Sequence, residues 1–341
     1  MITMARGAEG DRMVTEYNKS RLSADEQSLY EIILRGVQAR EAEIMCGPFE
    51  AKRCNAVYFL VINEHPELFF ASHTINATTH NYGTYSCCVL EPIYIYDKVR
   101  SAEYARKIED VIAYLLPRTR GKSQREVERT VVNYFIDNVT YELDYTYNQD
   151  AAAALVRHKA QCSGISAATK LVFDRLGIEC IYVRGTMAEE DETEFEHHAW
   201  NIVRIDGVYY HLDVTSLIGC NKPGKKPYHY LGYNAMDAEV VSDHFWDSST
   251  TPKCNTIFVH EEMEDLCNLG RVLSMYQLRR ALHDLPLRTG YVVVFGYRST
   301  DSANKVLDDV VKVVRVVLIK RGLCLCYSVS VLDEDVTVEF K

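Results

Sequence analysis

No stretch of the chain is apolar for long enough to span a bilayer. The run from Val310 to Ile319 comes nearest, and Lys312 and Arg315 interrupt it. Also missing is a basic start followed by an apolar segment and a cleavage site, so nothing reads as a secretory signal. Positive charge is in deficit. Lys plus Arg (38) against Asp plus Glu (48) leaves −10, with no basic stripe to offset it, which argues against a nucleic-acid backbone as partner. No Cys-x-x-Cys spacing links any of the eleven cysteines, so Cys180, Cys220, Cys254 and Cys267 carry no zinc-ligand signature and are expected to be structural. Calcium-loop spacing, internal repeats and low-complexity tracts are lacking too.

What is present is ordinary globular material, 47% hydrophobic and 25% charged, so disorder is not expected overall. At 341 residues the chain has room for two or three cores. Eleven is an odd number of cysteines, and pairs such as Cys87-Cys88 and Cys324-Leu325-Cys326 make poor disulfide frameworks. Reduced, mostly buried thiols in a cytoplasmic protein are the expectation.

Residues 1–20 show no periodicity and read as a frayed lead-in. Ser23 with Glu26 three positions on has the pattern of a capping box, opening a helix toward Ile44. A second helix near 51–63 and strands around 68–72 and 85–96 complete an α+β region over residues 1–100. Helical patterns follow at about 102–116 and 123–138, with Pro117 to Gly121 between them as a breaker. Strand-like residues from Val139 precede a short alanine-rich helix ending near His158. Ile165, Ala168, Leu171, Val172 and Leu176 form an apolar stripe at helical spacing, and Gly177 stands where a helix C-terminus favours a left-handed residue. Beyond about Cys267 the pattern becomes helix, strand, helix and two strands, a small α/β domain assigned to residues 263–341.

The residues with chemical potential concentrate in residues 101–262. Cys162 opens the helix that carries the apolar stripe, where the positive end of the backbone dipole favours thiolate and free backbone N–H groups can hold an oxyanion. Downstream, Asp206-Gly207 separates two alternating β-rich runs, a hairpin signal. A two-residue turn pairs Ile205 with Val208, so that paired numbers sum to 413. Trp200 then faces Asp213, His198 faces Thr215, and His198 and Asp213 become diagonal neighbours on one face. Ala199, Val203, Ile205, Val208, Tyr210, Leu212 and Val214 line the other face as a core-like set. A one-residue bulge at the turn would instead favour His197. His211 shares the Asp213 face nearer the turn and is a second-choice base.

Gln161-Cys162-Ser163-Gly164, Gly177-Ile178-Glu179-Cys180, His198-Ala199-Trp200-Asn201 and Leu212-Asp213-Val214-Thr215 resemble the transglutaminase-like superfamily, specifically its bacterial transglutaminase and cysteine-peptidase-like branch. The likeness covers roughly 125–216, and a further similarity reaches from Tyr230 to Cys254, where members carry a tyrosine-containing segment followed by Asp-His. The resemblance implies a nucleophile at Cys162, a base at His198 and an orienting acid at Asp213. The order of the three also fits, with separations of 198 − 162 = 36 and 213 − 198 = 15. This chain departs from the pattern at Ser216, where the branch often has Trp, and at Gln161, where it has Gly.

The expected fold is therefore α+β, a papain-related core with the Cys162 helix packed on an antiparallel sheet, flanked by the N-terminal region and the C-terminal domain. The expected activity is acyl transfer through a thioacyl intermediate on a peptide or protein substrate, with no cofactor and no metal. Water as acceptor makes a cysteine peptidase or amidase, the preferred reading. An amine makes a protein-glutamine transglutaminase, and a binding scaffold with a vestigial triad is the non-enzymatic alternative. Gln161 and Tyr141 are candidates for the oxyanion or substrate site, and Trp200 for a site wall. The acidic run at 188–196 reads as a solvated loop, with a flap selecting basic substrates as the sharper option.

Overall fold

The computed structural model describes residues 14–81, 83–143, 147–188, 195–220, 232–241, 243–256, 258, 266–272, 275–285, 287–288, 291–297, 302–332 and 335–340. Ser23 caps the first helix, α1 (Ala24–Ala39), and both halves of its capping box with Glu26 form. The helix ends earlier than its sequence suggests, because Arg40 takes a left-handed conformation (φ 56°). Strand β1 (Ile44–Gly47), helix α2 (Ala51–Glu64) and strands β2 (Ala71–Asn81) and β3 (Ser86–Tyr94) follow. The three strands form an antiparallel sheet in the order β1-β3-β2, and Leu29, Ile33, Val57, Val61 and Leu90 lie in its core.

Next come α3 (Lys98–Thr119) and α4 (Gln124–Asn138). The expected break at Pro117 does not occur, since α3 continues through it to Thr119. A proline removes one helical hydrogen bond, and here the loss is confined to the last turn, whose other carbonyls also accept from side chains. Arg118 donates to the Tyr114 carbonyl, and the Thr119 hydroxyl donates to the carbonyls of Leu115 and Leu116.

A short parallel pair, β4 (Thr140–Tyr141) and β5 (Lys159–Ala160), leads into α5 (Cys162–Leu176). The sheet that faces α5 contains β6 (Cys180–Ala188), β7 (Phe195–Ile205), β8 (Val208–Leu212), β9 (Tyr233–Ala235) and β10 (His244–Phe245), with α6 (Val214–Cys220) and α7 (Asp237–Val240) between strands. Its order is β10-β6-β7-β8-β9, with every neighbouring pair antiparallel. Ile165, Ala168 and Val172 of α5 share one core with Ala199, Val203 and Leu212 of the sheet and with Ile112, Val131 and Phe135 of α3 and α4. The opposite sheet face is covered as well, with Ile181, Val183, Trp200, Ile202 and Cys254 packed together.

A third core lies in a four-stranded sheet ordered β11-β12-β14-β13. It is built from β11 (Leu266–Arg271), α8 (Met275–Asp284), β12 (Val292–Gly296), α9 (Ala303–Arg321), β13 (Tyr327–Leu332) and β14 (Asp335–Phe340). The fold thus mixes helices and sheets as expected, while the short or unalternating strands β1, β5, β9, β10 and β11 escaped the sequence pattern and β2 runs well beyond the 68–72 expected for it.

Two features fix α5. Lys170 is fully buried, and its ammonium donates to Asp174 at 2.7 Å and to the carbonyls of Thr15 and Cys180 at 3.0 Å each, so the charge is paired and all three donors are used. Thr15 also hydrogen-bonds the Asp174 carboxylate, so this part of the supposed frayed lead-in is stitched into the core. At the other end, Gly164 sits where an added Cβ would lie 2.6 Å from the Asn148 carbonyl oxygen and 2.9 Å from that of Asp150.

Both obstacles at Gly164 are backbone atoms and cannot swing away. Gly164→Ala should cost about 1–3 kcal/mol and shift the first turn of α5. Urea unfolding together with the alkylation rate of Cys162 checks this, and wild-type values for both would show that the loop at 148–150 yields freely.

Candidate active site

Cys162 is the first residue of α5, and the first i to i−4 hydrogen bond of that helix runs from Ile165 N–H to the Gln161 carbonyl. The N–H groups of Cys162, Ser163 and Gly164 therefore precede the helical ladder. The thiol is half-buried, with its sulfur 4.0 Å from the His197 carbonyl oxygen. Of the other described cysteines, Cys46, Cys54, Cys87, Cys88, Cys180 and Cys254 are buried and Cys324 and Cys326 exposed. Burial pushes the Cys180 and Cys254 thiols well up, which suits inert core thiols.

The hairpin forms with the two-residue turn. Asp206 and Gly207 both have positive φ (52° and 86°), as a type I′ turn requires, and Ile205 pairs with Val208 and Asn201 with Leu212. The register excludes the bulge, leaving His197 exposed and His198 buried. Pairing stops sooner than expected. Strand β8 ends at Leu212, so Thr215 does not pair with His198 but lies in α6. The reason is Asp213 itself, whose Oδ1 accepts the N–H groups of Thr215 and Ser216 at 3.0 and 3.2 Å, the pattern of a helix N-cap.

Oδ2 of the same carboxylate takes His198 Nε2 at 3.0 Å, the Ser216 hydroxyl at 2.5 Å and His244 Nε2 at 3.4 Å. Ionised Asp213 can only accept, so His198 carries its hydrogen on Nε2. The Cys162 side chain adds to the raising of the same imidazole, and with Nε2 engaged by Asp213, Nδ1 is the nitrogen left to exchange protons with the sulfur. Burial alone would raise the Asp213 carboxyl, but the charges and hydrogen bonds of His198 and His244 outweigh it and hold the group far below the usual carboxylate range. Burial alone would lower His198. Asp213, with a contribution from Cys162, reverses this and pushes the imidazole up to about 10.

Trp200 is 1% exposed and lies parallel to the His198 ring at 5.8 Å, so it backs the histidine instead of lining an open wall. Its indole N–H donates to His211 Nδ1 at 2.9 Å, and His211 Nε2 lies 3.0 Å from Asp237 Oδ1. His211 is thus spent on a separate pair, with both ring nitrogens engaged. Gln161 is buried, with its N–H bonded to the Asn148 carbonyl, and Tyr141 pairs through its backbone with Ala160, so both lie beside the start of α5. Glu189 to Glu194 and Tyr230 lie outside the described residues.

Among the described residues, two groups bring ligand-type atoms within 4.8 Å of one another, namely His198, Asp213 and His244, and His211, Asp237 and Cys254. In the second, an indole N–H can only donate, so His211 Nδ1 accepts and Nε2 holds the hydrogen given to Asp237. No nitrogen lone pair remains for a metal. In the first, His198 Nε2 likewise donates to a carboxylate that already accepts from backbone and hydroxyl. Both groups are hydrogen-bonded clusters.

Sequence reasoning passed over Ser216, Asp243 and His244. Ser216 had registered only as a departure from the family pattern, and it donates to the very carboxylate it follows by three positions. His244 had a faint signal, the Asp-His pair in the stretch similar to family members.

Residues 114–214 match the family model described as the transglutaminase-like superfamily. This part of the chain, which holds Cys162, His198 and Asp213, is similar to a superfamily that includes transglutaminase-like and cysteine-protease-like enzymes. Among solved structures, a TGase is similar at 20% identity and TM-score 0.31, covering 46% of this chain and 48% of that one. A candidate cysteine protease from Cytophaga hutchinsonii is similar at 13% identity and TM-score 0.27, over 42% of this chain and 62% of that one. A candidate protease from Parabacteroides distasonis is similar at 7% identity and TM-score 0.27, over 77% and 60%. The chain spans less than two thirds of the length of each. No curated protein matches.

The buried pair makes stability depend on pH. His198 is raised from 6.5 to about 10, so its contribution is complete below about pH 6.5 and is lost as pH rises through 10. Asp213 is lowered from 3.8, so its contribution is present above that pH and is lost as pH falls through the folded value. Asp213→Ala should therefore cost about 3–5 kcal/mol, most between about pH 4 and 6.5, with the deficit shrinking toward pH 10. Urea unfolding of both proteins across this range measures it, and a deficit that does not vary with pH would count against the ion pair.

Proposed function

We propose that this protein is a thiol-dependent acyl-transfer enzyme in which Cys162 is the nucleophile, His198 the proton-transfer group and Asp213 its orienting carboxylate. One observation carries the reading. A half-buried thiol at a helix N-terminus is coupled electrostatically to an imidazole whose Nε2 is held 3.0 Å from a saturated carboxylate. Nucleophilic catalysis needs that sequence of thiol, base and orienter.

In the reaction, the Cys162 thiolate adds to an amide carbonyl, and the N–H groups that open α5 stabilise the oxyanion. Collapse breaks the C–N bond as the His198 imidazolium gives its proton to the departing amine nitrogen. A thioacyl enzyme remains. A second nucleophile, deprotonated by the now neutral His198, attacks the thioester and returns Cys162. Asp213 keeps the hydrogen on Nε2, so that Nδ1 is the nitrogen that exchanges protons. The amide of Gln161 and the hydroxyl of Tyr141 are candidates to add to the oxyanion or substrate site.

Water is the acceptor we favour, which makes the activity that of a cysteine peptidase or amidase. Cys162 is half-buried and not enclosed, so an acyl group on its sulfur stays within reach of solvent.

Iodoacetamide at pH 6 should label Cys162 faster than a free thiol, and Cys162→Ala should abolish turnover of any peptide found in a library screen. Equal labelling rates would remove the activated nucleophile. For the acceptor, glutamine-containing peptides incubated with a labelled amine should be hydrolysed without incorporating it. Amine incorporation would turn the assignment to transglutaminase.

A further inference from the structure

His244 opens β10, pairs through its backbone with Met187 of β6 and is 7% exposed. Both of its ring nitrogens face carboxylates, Nδ1 at 2.7 Å from Asp243 Oδ1 and Nε2 at 3.4 Å from Asp213 Oδ2. A neutral imidazole has one bare nitrogen, which here would turn its lone pair on an oxygen that only accepts. Asp213 cannot relieve this by taking up a proton, because four donors other than His244 already converge on its two oxygens. Hydrogen on both nitrogens satisfies every contact.

His244 also faces three rings, of which His198 is itself cationic and shares the Asp213 carboxylate with it. From β7 the His198 ring meets it edge-on at 5.2 Å and the Trp200 ring at 4.9 Å. From β8 comes His211, which accepts from Trp200 and donates to Asp237 and so is neutral. Burial alone would lower His244, yet its hydrogen bonds to Asp213 and Asp243 raise it.

We propose that His244 is a standing imidazolium, anchored by Asp243, that positions Asp213 for the His198–Cys162 pair. The assignment deepens the acyl-transfer reading and rests on it. Charge then alternates along five side chains, from Asp243 (negative) through His244, Asp213 and His198 to Cys162 as thiolate. His244 touches neither the sulfur nor the substrate. Its part is to hold Oδ2 at the distance and angle that His198 requires, a positioning role.

The test separates this role from catalysis itself. With histidine labelled in ¹⁵N, long-range proton–nitrogen spectra of the wild type at pH 7.5 should show both His244 nitrogens protonated, the signal being assigned by its loss in His244→Gln. A neutral-tautomer pattern would overturn the proposal. Asp243→Asn should let the His244 ring lose its proton at a lower pH, whereas an unmoved titration would contradict the anchor. His244→Leu should slow Cys162 alkylation by about 100-fold, the scale of an orientation error near 1 Å. His244→Gln, which keeps an N–H toward Asp213, should recover most of that rate. A wild-type rate in His244→Leu would remove the positioning role. Should the leucine variant not fold, the wild-type and Asp243→Asn spectra still decide. Should Cys162 in the wild type label no faster than a free thiol, the acyl-transfer reading fails while the His244 spectrum still stands or falls alone.

Discussion

A carboxylate taken out of water must find all of its partners within the protein, and Asp213, 2% exposed, does so. One oxygen caps α6 through two backbone N–H groups, and the other gathers His198, Ser216 and His244. The residue thus ends a strand, starts a helix and aims an imidazole with a single charge. Neighbouring architecture converges on that point. The type I′ turn at Asp206-Gly207 sets the β7–β8 register, which delivers His198 beside the end of β8. The Ser166 hydroxyl donates to the Ala199 carbonyl and the Asn201 amide to the Ser166 carbonyl, tying α5, and so Cys162, to the strand that bears the histidine.

The same physics separates Cys162 from the other thiols. Six described cysteines are buried and two lie exposed in the C-terminal sheet region, and a thiol is reactive only where its charged form is supported. Cys162 alone among the described cysteines combines a helix N-terminus with an imidazole held by a carboxylate. The matched superfamily supplies the broad class of chemistry, while the acceptor and substrate rest on the geometry of this site and the experiments it suggests.

What the sequence revealed was local. The hairpin could be paired on paper because turn chemistry and alternation fix it within a dozen residues, and the apolar stripe after Cys162 gave α5 and its buried face. Parity alone left His197 and His198 open until register was known. Features that depend on distant partners were illegible. Thr15 looks like part of a polar tail, yet it completes the shell of a buried ammonium more than 150 residues away. Pro117 has the signature of a helix break, yet it falls in the last turn of α3, where one lost hydrogen bond does not stop the helix. Nothing in the run Leu212-Asp213-Val214 announces that a strand becomes a helix there, because the cap also serves the histidine. His244 enters through a two-residue strand, too short for any periodicity to mark.

The central claim is that Cys162 accepts an acyl group from a substrate with His198 managing the protons. The most direct measurement is intact-mass spectrometry of the protein quenched in acid after brief exposure to an activated acyl ester, followed by peptide mapping. The account predicts a single acyl addition carried as a thioester on Cys162, nearly absent in His198→Ala and released when the wild type is returned to neutral buffer. No adduct, an adduct spread over other residues, or equal acylation of the His198→Ala protein would contradict it.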